Sequence, residues 1–520
     1  MLFYKLAMNK NCTLNLTIYI FFLFSIRTSS SVAQLKVEEV IQKIITKNPD
    51  LQANSKKINQ ATGILLQAKG SFNTTYSANF NKALAKTDYT YESPTLSTPI
   101  DSWNYSVGVS RKLPWGMVIS PSVGVKNYGY VESYPGKGDV LTNHGVASLR
   151  VVQPLLLGLG KKYNMANIRN AQLAISATEH EYIYQASEII LQSLETYIQY
   201  IGAYQNLLIQ IQTEASLNKA IVDVNRLIKL DALPASEVII LEAQLSNQRA
   251  MHKLAENKME SVKNQLGALM GLKEEEIYSM PLPDTVFPVT FSNSTINEDF
   301  IKNWLDKSFV NRHDYMALEK NIQSAELDCF VSKKSVKPRL DLTLTTGYTG
   351  LSQALNSEQY YQSLTQNIPG VNYMVGLSFV FLGKNDYAKG KEIETLSTLD
   401  ILEEQKKKLI LNIHNQIKQT GNNYKNNAQV VGFLSESEKN YKKAYQNEIR
   451  KFQAGTSTSF IVVQVQNDYL LSKNQLVSLL TDLNISVLEF RHNTGTLIEA
   501  QSDNTFNIDP TKIFTLPLAK

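Results

Sequence analysis

The sequence predicts a mainly α-helical protein that also carries membrane-suited β-strands and is written twice along its length. Three observations predict it. Two helical tracts of about 70 residues lack any proline, strand-like alternation stops at a glycine just before each tract, and the spacing between the two copies is nearly constant.

The first tract runs from about Lys161 to Leu230, between Pro154 and Pro234, and the second from about Lys384 to Gln453. At 1.5 Å per residue each is roughly 100 Å long if continuous. In the second, Ile393, Leu396, Leu399 and Leu402 recur every three residues, and Leu409, Ile413 and Ile417 every four. That mixed spacing describes a coiled-coil-like seam rather than a helix apolar all round. Both tracts end at turn signals. DALPASEV (231–238) offers Ser236 as an N-cap; AGTSTSF (454–460) offers Gly455 as a helix stop and Ser457 or Thr458 as the next cap. Return helices follow at 235–271 and 458–495, each closing on a glycine.

Ahead of each tract comes a shorter helix and then alternation. The helix over 48–70 is followed by Phe72, Tyr76 and Phe80 with Asn73, Thr75, Ser77 and Asn79 between them. The helix over 311–338 is followed by Leu340, Leu342 and Leu344, separated by Asp341, Thr343 and Thr345. A period of two with Ser, Thr and Asn on one side suits a strand between an apolar and a wet surface. The next strands end at glycine in VVQPLLLGLG (151–160) and VGLSFVFLG (375–383). The offset between copies is 223 from Gly160 to Gly383 and 224 from Asp231 to Gly455, which argues for duplication.

The copies differ in one place. From Phe72 to Gly160 is 88 residues and from Leu340 to Gly383 is 43. The surplus holds WNYSVGVSRKL (103–113), Pro114-Trp115-Gly116 and MVISPSVGV (117–125), read as an extra hairpin with loops around Asp88 and Tyr130. It either adds strands to a barrel or folds as an ornament. The second copy has a comparable loop around Gln353–Pro369. Tyr76, Phe80, Trp103, Tyr105, Trp115, Tyr348 and Tyr373 flank the strands and suit an interfacial girdle.

The bulk numbers narrow the classes. A net charge of +5 over 520 residues, with lysines and acids interspersed, gives no nucleic-acid footprint. A mean hydropathy of −0.21 excludes a polytopic helical membrane protein but not a membrane β-barrel, whose alternating strands average out. Lys5 and Lys10 precede an apolar run from Leu14 to Ile26, and Val32 and Ala33 lie in a small-residue cleavage context, so residues 1–33 read as a secretory signal peptide. The remaining chain then holds only Cys329, expected buried or half-exposed on a helix, and no intrachain disulfide. His144, His180, His252, His313, His414 and His492 show no metal spacing, and there is no P-loop or nucleophile elbow. No enzyme, cofactor or metal site is expected, so energy for any transport must come from a partner.

An open sheet edge is not tolerated facing lipid, and the few strands of one chain cannot close a barrel, so other subunits must complete it. The signal peptide, the duplicated helix–strand–strand–helix–helix units, the QPLLLGLG rim (Gln153 to Gly160) and the tip KFQAGTST (Lys451 to Thr458) together resemble the TolC-type outer-membrane efflux proteins. The resemblance covers essentially the whole chain after the leader. It implies a homotrimer: an outer-membrane β-barrel continued by a long periplasmic α-helical barrel, docked on a periplasmic adaptor and an inner-membrane RND, ABC or MFS transporter. The implied role is a passive duct for efflux or type I secretion; a periplasmic coiled-coil adaptor or a trimeric surface structural protein is the alternative. The first structural repeat spans 34–295 and the second 296–500, with strands at about 71–82, 103–153, 338–348 and 372–382, hairpins at about 161–271 and 384–495, and a tail at 501–520. The helices at 34–70 and 297–336 and the tail are expected to form an equatorial belt.

The resemblance also implies site residues. In several members of the family the second tip helix begins G-x-x-x-x-x-D-x-x-D, and the two carboxylates ring the periplasmic entrance. Counted from Gly455 those positions are Ile461 and Gln464, and counted from Asp231 the first falls on Glu237. An Ile461 ring constricts by dewetting, giving a channel less cation-selective than the acidic members, or Ile461 packs against a neighbouring helix. Leu230, Asp231, Leu233, Lys451, Phe452, Gly455 and Thr456 are the expected adaptor-docking tips, and Gln153, Pro154, Gly158, Gly160 and Gly383 the barrel rim.

Overall fold

Long uninterrupted helices form where no proline or β-branched run interrupts them, and the two tracts do form them. The structure, a computed structural model, describes residues 34–89, 96–130, 140–231, 233–289, 298–353, 362–365, 370–501 and 505–517. The signal peptide at 1–33 lies outside them. Helix α4 spans Ala166–Lys229 and returns as α5 (Ser236–Leu269). Helix α9 spans Asp386–Gln453 and returns as α10 (Ser459–Asn493). Four shorter helices, α1 (Val37–Lys47), α2 (Pro49–Gly70), α7 (Glu298–Asn311) and α8 (His313–Ser335), precede the strands of each copy. Short α3 (Lys161–Asn164) and α6 (Glu274–Tyr278) are also helical. No helix of the described residues is long and apolar enough to cross a membrane.

The return helices are half as long as the helices they leave, and a second helix fills the gap in each copy. The start of α2 meets the end of α5, and the start of α8 meets the end of α10. Asn48, 2% exposed, accepts from Leu51 N with its side-chain oxygen (2.9 Å) and donates to Leu269 O (2.7 Å). Arg312, 3% exposed, donates to Asn493 O at 3.3 Å and pairs with Asp314 at 2.6 Å. Gly271 and Gly495 (φ 66° and 70°) close α5 and α10, and a Cβ at either would strike Lys47 O or Asn311 O. The duplication is therefore visible in contacts: 48 to 312 is 264, and 269 to 493 is 224. The offset drops by 40 between these points because the first copy carries the extra hairpin.

The belt departs from expectation. Helices α2 and α8 stack on α5 and α10 as upper staves against α4 and α9. The belt consists of α1, α7, the segment around Met280–Val289 and the C-terminal tail. Its main core joins Val40, Ile41 and Ile44 of α1 to Ile190, Leu194, Ile198 and Ile201 of α4, Leu488 of α10, and Leu497, Ile508 and Ile513. Arg491 ties down the tail through Thr515 O (2.6 Å) and Thr496 O (3.0 Å). In α9 the four-spaced positions Ile413 and Ile417 are fully buried, whereas Ile393 is exposed and Thr395 takes the inward place, bonded to Ser332 at 2.7 Å. Cys329 is buried on α8.

Six strands form one antiparallel meander: β1 (Thr75–Tyr89), β2 (Leu96–Lys112), β3 (Val118–Tyr130), β4 (Val140–Pro154), β5 (Arg339–Gln353) and β6 (Asn372–Val380). The extra hairpin is β2–β3, inserted into the sheet between β1 and β4. Asp88 and Tyr130, read as loop from sequence, remain paired with Ser97 and Val140. A polar stretch marks the chain leaving an apolar band; it does not end a ladder made by the backbone. The turns at 90–95 and 131–139, and most of the 353–369 loop, lie outside the described residues. A two-strand ribbon, β7 (Glu499–Ala500) with β8 (Phe506–Asn507), sits in the tail.

The junction at Arg312 buries titratable groups. His492 is held neutral by burial and by the Arg312 charge, its pKa lowered to about 4, and His313 is lowered to about 4 by burial and by His180. Both groups are neutral in the fold, so their contribution is complete above the ordinary imidazole pKa near 6.5 and is lost as pH falls towards 4. Glu195 acts with opposite sign. Burial and Glu489 raise its pKa to about 7, so stability falls as pH rises from about 4.5 to 7. Thermal melts followed at 222 nm should show acid loss between pH 6.5 and 4, of up to about 3 kcal/mol from His492 alone. His492→Gln should flatten that limb, and Glu195→Gln should raise Tm at pH 8.

Candidate functional site

Strand register sorts the sheet into two faces. On one lie Tyr76, Ala78 and Phe80 of β1, Trp103, Tyr105, Val107 and Val109 of β2, and Ile119, Val123 and Val125 of β3. The same face continues through Ala147, Leu149 and Val151 of β4, Leu340, Leu342 and Leu344 of β5, and Tyr373, Val375, Leu377 and Phe379 of β6. The opposite face carries Ser77, Asn79, Ser106, Ser110, Ser120, Ser122, Ser148, Arg150, Thr343 and Thr345, with Ser110–Ser120 and Ser122–Ser148 hydroxyls 3.0 Å apart. The apolar face is open: Tyr373 is 83% exposed and Leu377 70%. From Leu340 to Gly350 the band is ten residues long, about 25 Å high at a tilt of about 40°, the height of a barrel's lipid-facing band. Above it Asn127 donates to Asn143 at 2.6 Å and Ser352 is buried, so the face turns polar.

Aromatic residues collect near that upper limit. Phe80 lies 5.4 Å from Trp103 and 5.0 Å from Tyr105, with Lys82 4.4 Å over Trp103. Trp115 stands exposed at the opposite end. This is the placement that interfacial aromatics take.

The segment expected at the rim is held together around the first copy's glycines. Gln153 donates to Pro154 O at 2.8 Å, and Pro154, the last residue of β4, pairs with Asp341. Gly158 and Gly160 adopt φ 92° and 101°. Asn164 donates to both of their carbonyls (2.6 and 2.9 Å), and Gly160 N donates to Trp115 O at 3.2 Å. Gly116 (φ 102°) abuts Gly158 O so closely that no Cβ fits. Gly383 is not the counterpart of Gly160: its φ is not left-handed and open space surrounds it. The turn that the first-copy glycines accommodate is absent from the second copy, where Asn385 instead caps α9 by accepting from Ala388 N.

At the far end the two hairpin tips use one backbone solution. Gly455 has φ 71°, with Thr456 N donating to Lys451 O and Gly455 N to Phe452 O. Asp231 stands 224 residues earlier with φ 54°, the sole positive-φ non-glycine among the described residues. Thr458, one of the two residues read as the cap of α10, holds that position, whereas Ser236 is the first residue of α5 rather than its cap. Ala235 holds the N-cap position of α5, and neither it nor Thr458 makes a side-chain capping bond. The free N–H of Ser459 is satisfied from the other hairpin: Glu237 accepts from Ser459 N at 3.0 Å and from its hydroxyl. A carboxylate at the starts of two helices is favoured by both dipoles. Ser457 donates to Glu448, which also pairs with Lys451 at 3.1 Å.

The tips share a small core of Leu217, Val224, Leu241, Leu245 and Val463, against which Leu233 and Phe452 pack. Leu230 is 69% exposed, and Asp231, Lys451, Gly455 and Thr456 are also at the surface. Ile461 is 42% exposed and Gln464 is exposed. Asp468, also exposed, extends the same face at i+7 from Ile461. Among the described residues no group of three or more His, Cys, Asp or Glu gathers as a metal site. A double-mutant cycle of Glu237→Ala and Ser459→Ala, read by chemical denaturation, should give a coupling of about 1–2 kcal/mol. Asp231→Gly should leave the hairpin intact or stabilise it by up to about 1 kcal/mol, whereas Asp231→Val should destabilise it.

No family model and no curated protein sequence matches this chain. Solved structures do. The outer membrane protein VceC from Vibrio cholerae superposes with a TM-score of 0.63 at 15% identity, over 88% of this chain and 95% of that one. The Campylobacter jejuni CmeC outer membrane channel gives 0.64 at 13% identity, over 94% of each chain. The open-state Neisseria gonorrhoeae MtrE outer membrane channel gives 0.61 at 11% identity, over 88% of each. At these identities the likeness is one of architecture: this chain has the fold of the outer-membrane channel proteins.

Proposed function

We propose that the chain is a TolC-type outer-membrane channel: a homotrimer that conducts substrates passively across the periplasm and outer membrane as one part of a tripartite efflux or type I secretion system. The observation that carries this reading is one chain's construction. An open six-strand sheet, apolar on one face over a membrane's thickness and polar on the other, is continuous with helical staves roughly 100 Å long. Three copies close the sheet into a barrel and the helices into a tunnel. No catalytic role is assigned, and the energy for transport comes from an inner-membrane RND, ABC or MFS transporter.

The hairpin tips are the entrance and the adaptor's docking surface. Leu230, Asp231, Lys451, Gly455 and Thr456 offer exposed groups to a periplasmic adaptor, while Leu233 and Phe452 hold the tip core behind them. Ile461 and Gln464 face the opening, and Glu237 keeps the two hairpins together through Ser459. An aliphatic ring narrows the passage by dewetting, and Asp468 one turn further in supplies the charge that counting from the tip glycine did not find.

Outer-membrane fractionation should recover the protein as a heat-modifiable trimer that conducts ions in planar bilayers. A soluble monomer after leader removal would refute the proposal. Reversal potentials in a salt gradient test the entrance: Ile461→Asp should raise cation over anion permeability several-fold with assembly unchanged.

A further inference from the structure

We infer that the inserted β2–β3 hairpin makes this wall an 18-stranded barrel, closed by pairing β1 of one copy with β6 of the next, and so matches its girth to that of the helical tunnel. The inference rests on the trimeric channel proposed above.

The hairpin is built as wall. Strands β2 and β3 are 17 and 13 residues long, above the roughly 9–11 that span a bilayer. Both are paired on both sides, with β1 and β4. Their faces continue the sheet's sorting: Val107 and Val123 join the apolar face, Ser106 and Ser122 the polar one. Its lower turn is a built joint. Gly116 N donates to Leu113 O (2.9 Å), Leu113 N to Met117 O (2.7 Å), and Trp115 O receives Gly160 N from the rim. An ornament would need none of this.

The sheet also curves the right way. On the polar face an added Cβ at Gly124 would stand 2.9 Å from that of Ser106, at Gly347 3.1 Å from that of Ser148, and at Gly108 3.5 Å from that of Ser122. Opposed Cβ atoms ordinarily sit about 4.5–5.5 Å apart, so this face is the crowded, concave one. One row across all six strands carries Ser77, Gly108, Ser122, Ser148, Gly347 and Asn372, small enough to line the inside of the bend.

The two edges suit a second copy of this chain. With six strands in an antiparallel meander, β1 and β6 run in opposite directions, so β6 of one copy meets β1 of the next as a further antiparallel pair. Tyr76, Ala78 and Phe80 then continue the apolar face of Tyr373, Val375 and Leu377 across the seam.

Ring geometry favours six strands over four. Each copy supplies four staves, α4, α9 and the stacked pairs α5–α2 and α10–α8. Twelve helices about 9 Å apart make a ring about 34 Å across. Eighteen strands about 4.8 Å apart at about 40° tilt make one about 36 Å across, and twelve strands only about 24 Å. The hairpin removes a mismatch of about one third where strands pass into helices.

Cryo-electron microscopy of the full-length protein in detergent tests this, beside a variant in which 90–139 is replaced by a short turn joining Tyr89 to Val140. Eighteen strands are expected, falling to twelve in the variant. In liposomes Val107→Cys should be quenched by a lipid-soluble agent and Ser106→Cys reached by a water-soluble maleimide. A threefold particle with a twelve-strand wall and β2–β3 outside it would overturn the inference and leave the channel standing. A particle without a central hole would remove both. If the deletion variant fails to assemble, the wild-type strand count and the cysteine pattern still decide.

Discussion

Backbone hydrogen bonding in a medium without water is the constraint on which this architecture turns. Each unpaired N–H or C=O in hydrocarbon costs several kcal/mol, and a sheet with two open edges presents a row of them. Strands β1 and β6 are such edges, and the face they border is apolar over a bilayer's thickness. A lone chain can satisfy its helices but not its sheet. In the proposed channel the exposed Tyr373, Leu377 and Phe379 on β6 are unfinished wall, which sister copies complete.

The helical region answers a different demand, rigidity over a long span. Neither copy builds its staves from single helices alone; each stacks a short helix on the end of the return helix. The equivalent positions solve the joint differently, Asn48 as a neutral bridge and Arg312 as a charged one. The charge needs Asp314 and leaves His492 neutral beside it, so the second joint carries a pH sensitivity through a buried imidazole. The belt of α1, α7 and tail surrounds this level, where the staves change partners and their core is deepest.

At the tips the two copies share a backbone shape while dividing the chemistry. Gly455 enters the left-handed region without cost, whereas Asp231 does so against a steric preference. Glu237 crosses from one hairpin to the helix start of the other and so ties the two tips together. In the proposed channel, an opening that separates or rotates the tips works against this contact.

Periodicity and spacing in the sequence determined the duplication, the long tracts, the alternating strands, the Pro-Trp-Gly turn and the glycine stops, because these are local consequences of side-chain period and backbone freedom. The likeness to outer-membrane channels was also legible, in the order of those units. Tertiary structure alone decided that the extra hairpin enters the sheet, that α2 and α8 stack as staves, and that Gly383 does not mirror Gly160. It also decided that Glu237 caps a helix of the other hairpin. Each of these is a contact between segments distant in the chain, and local pattern carries no record of which distant partner a backbone group or side chain will meet.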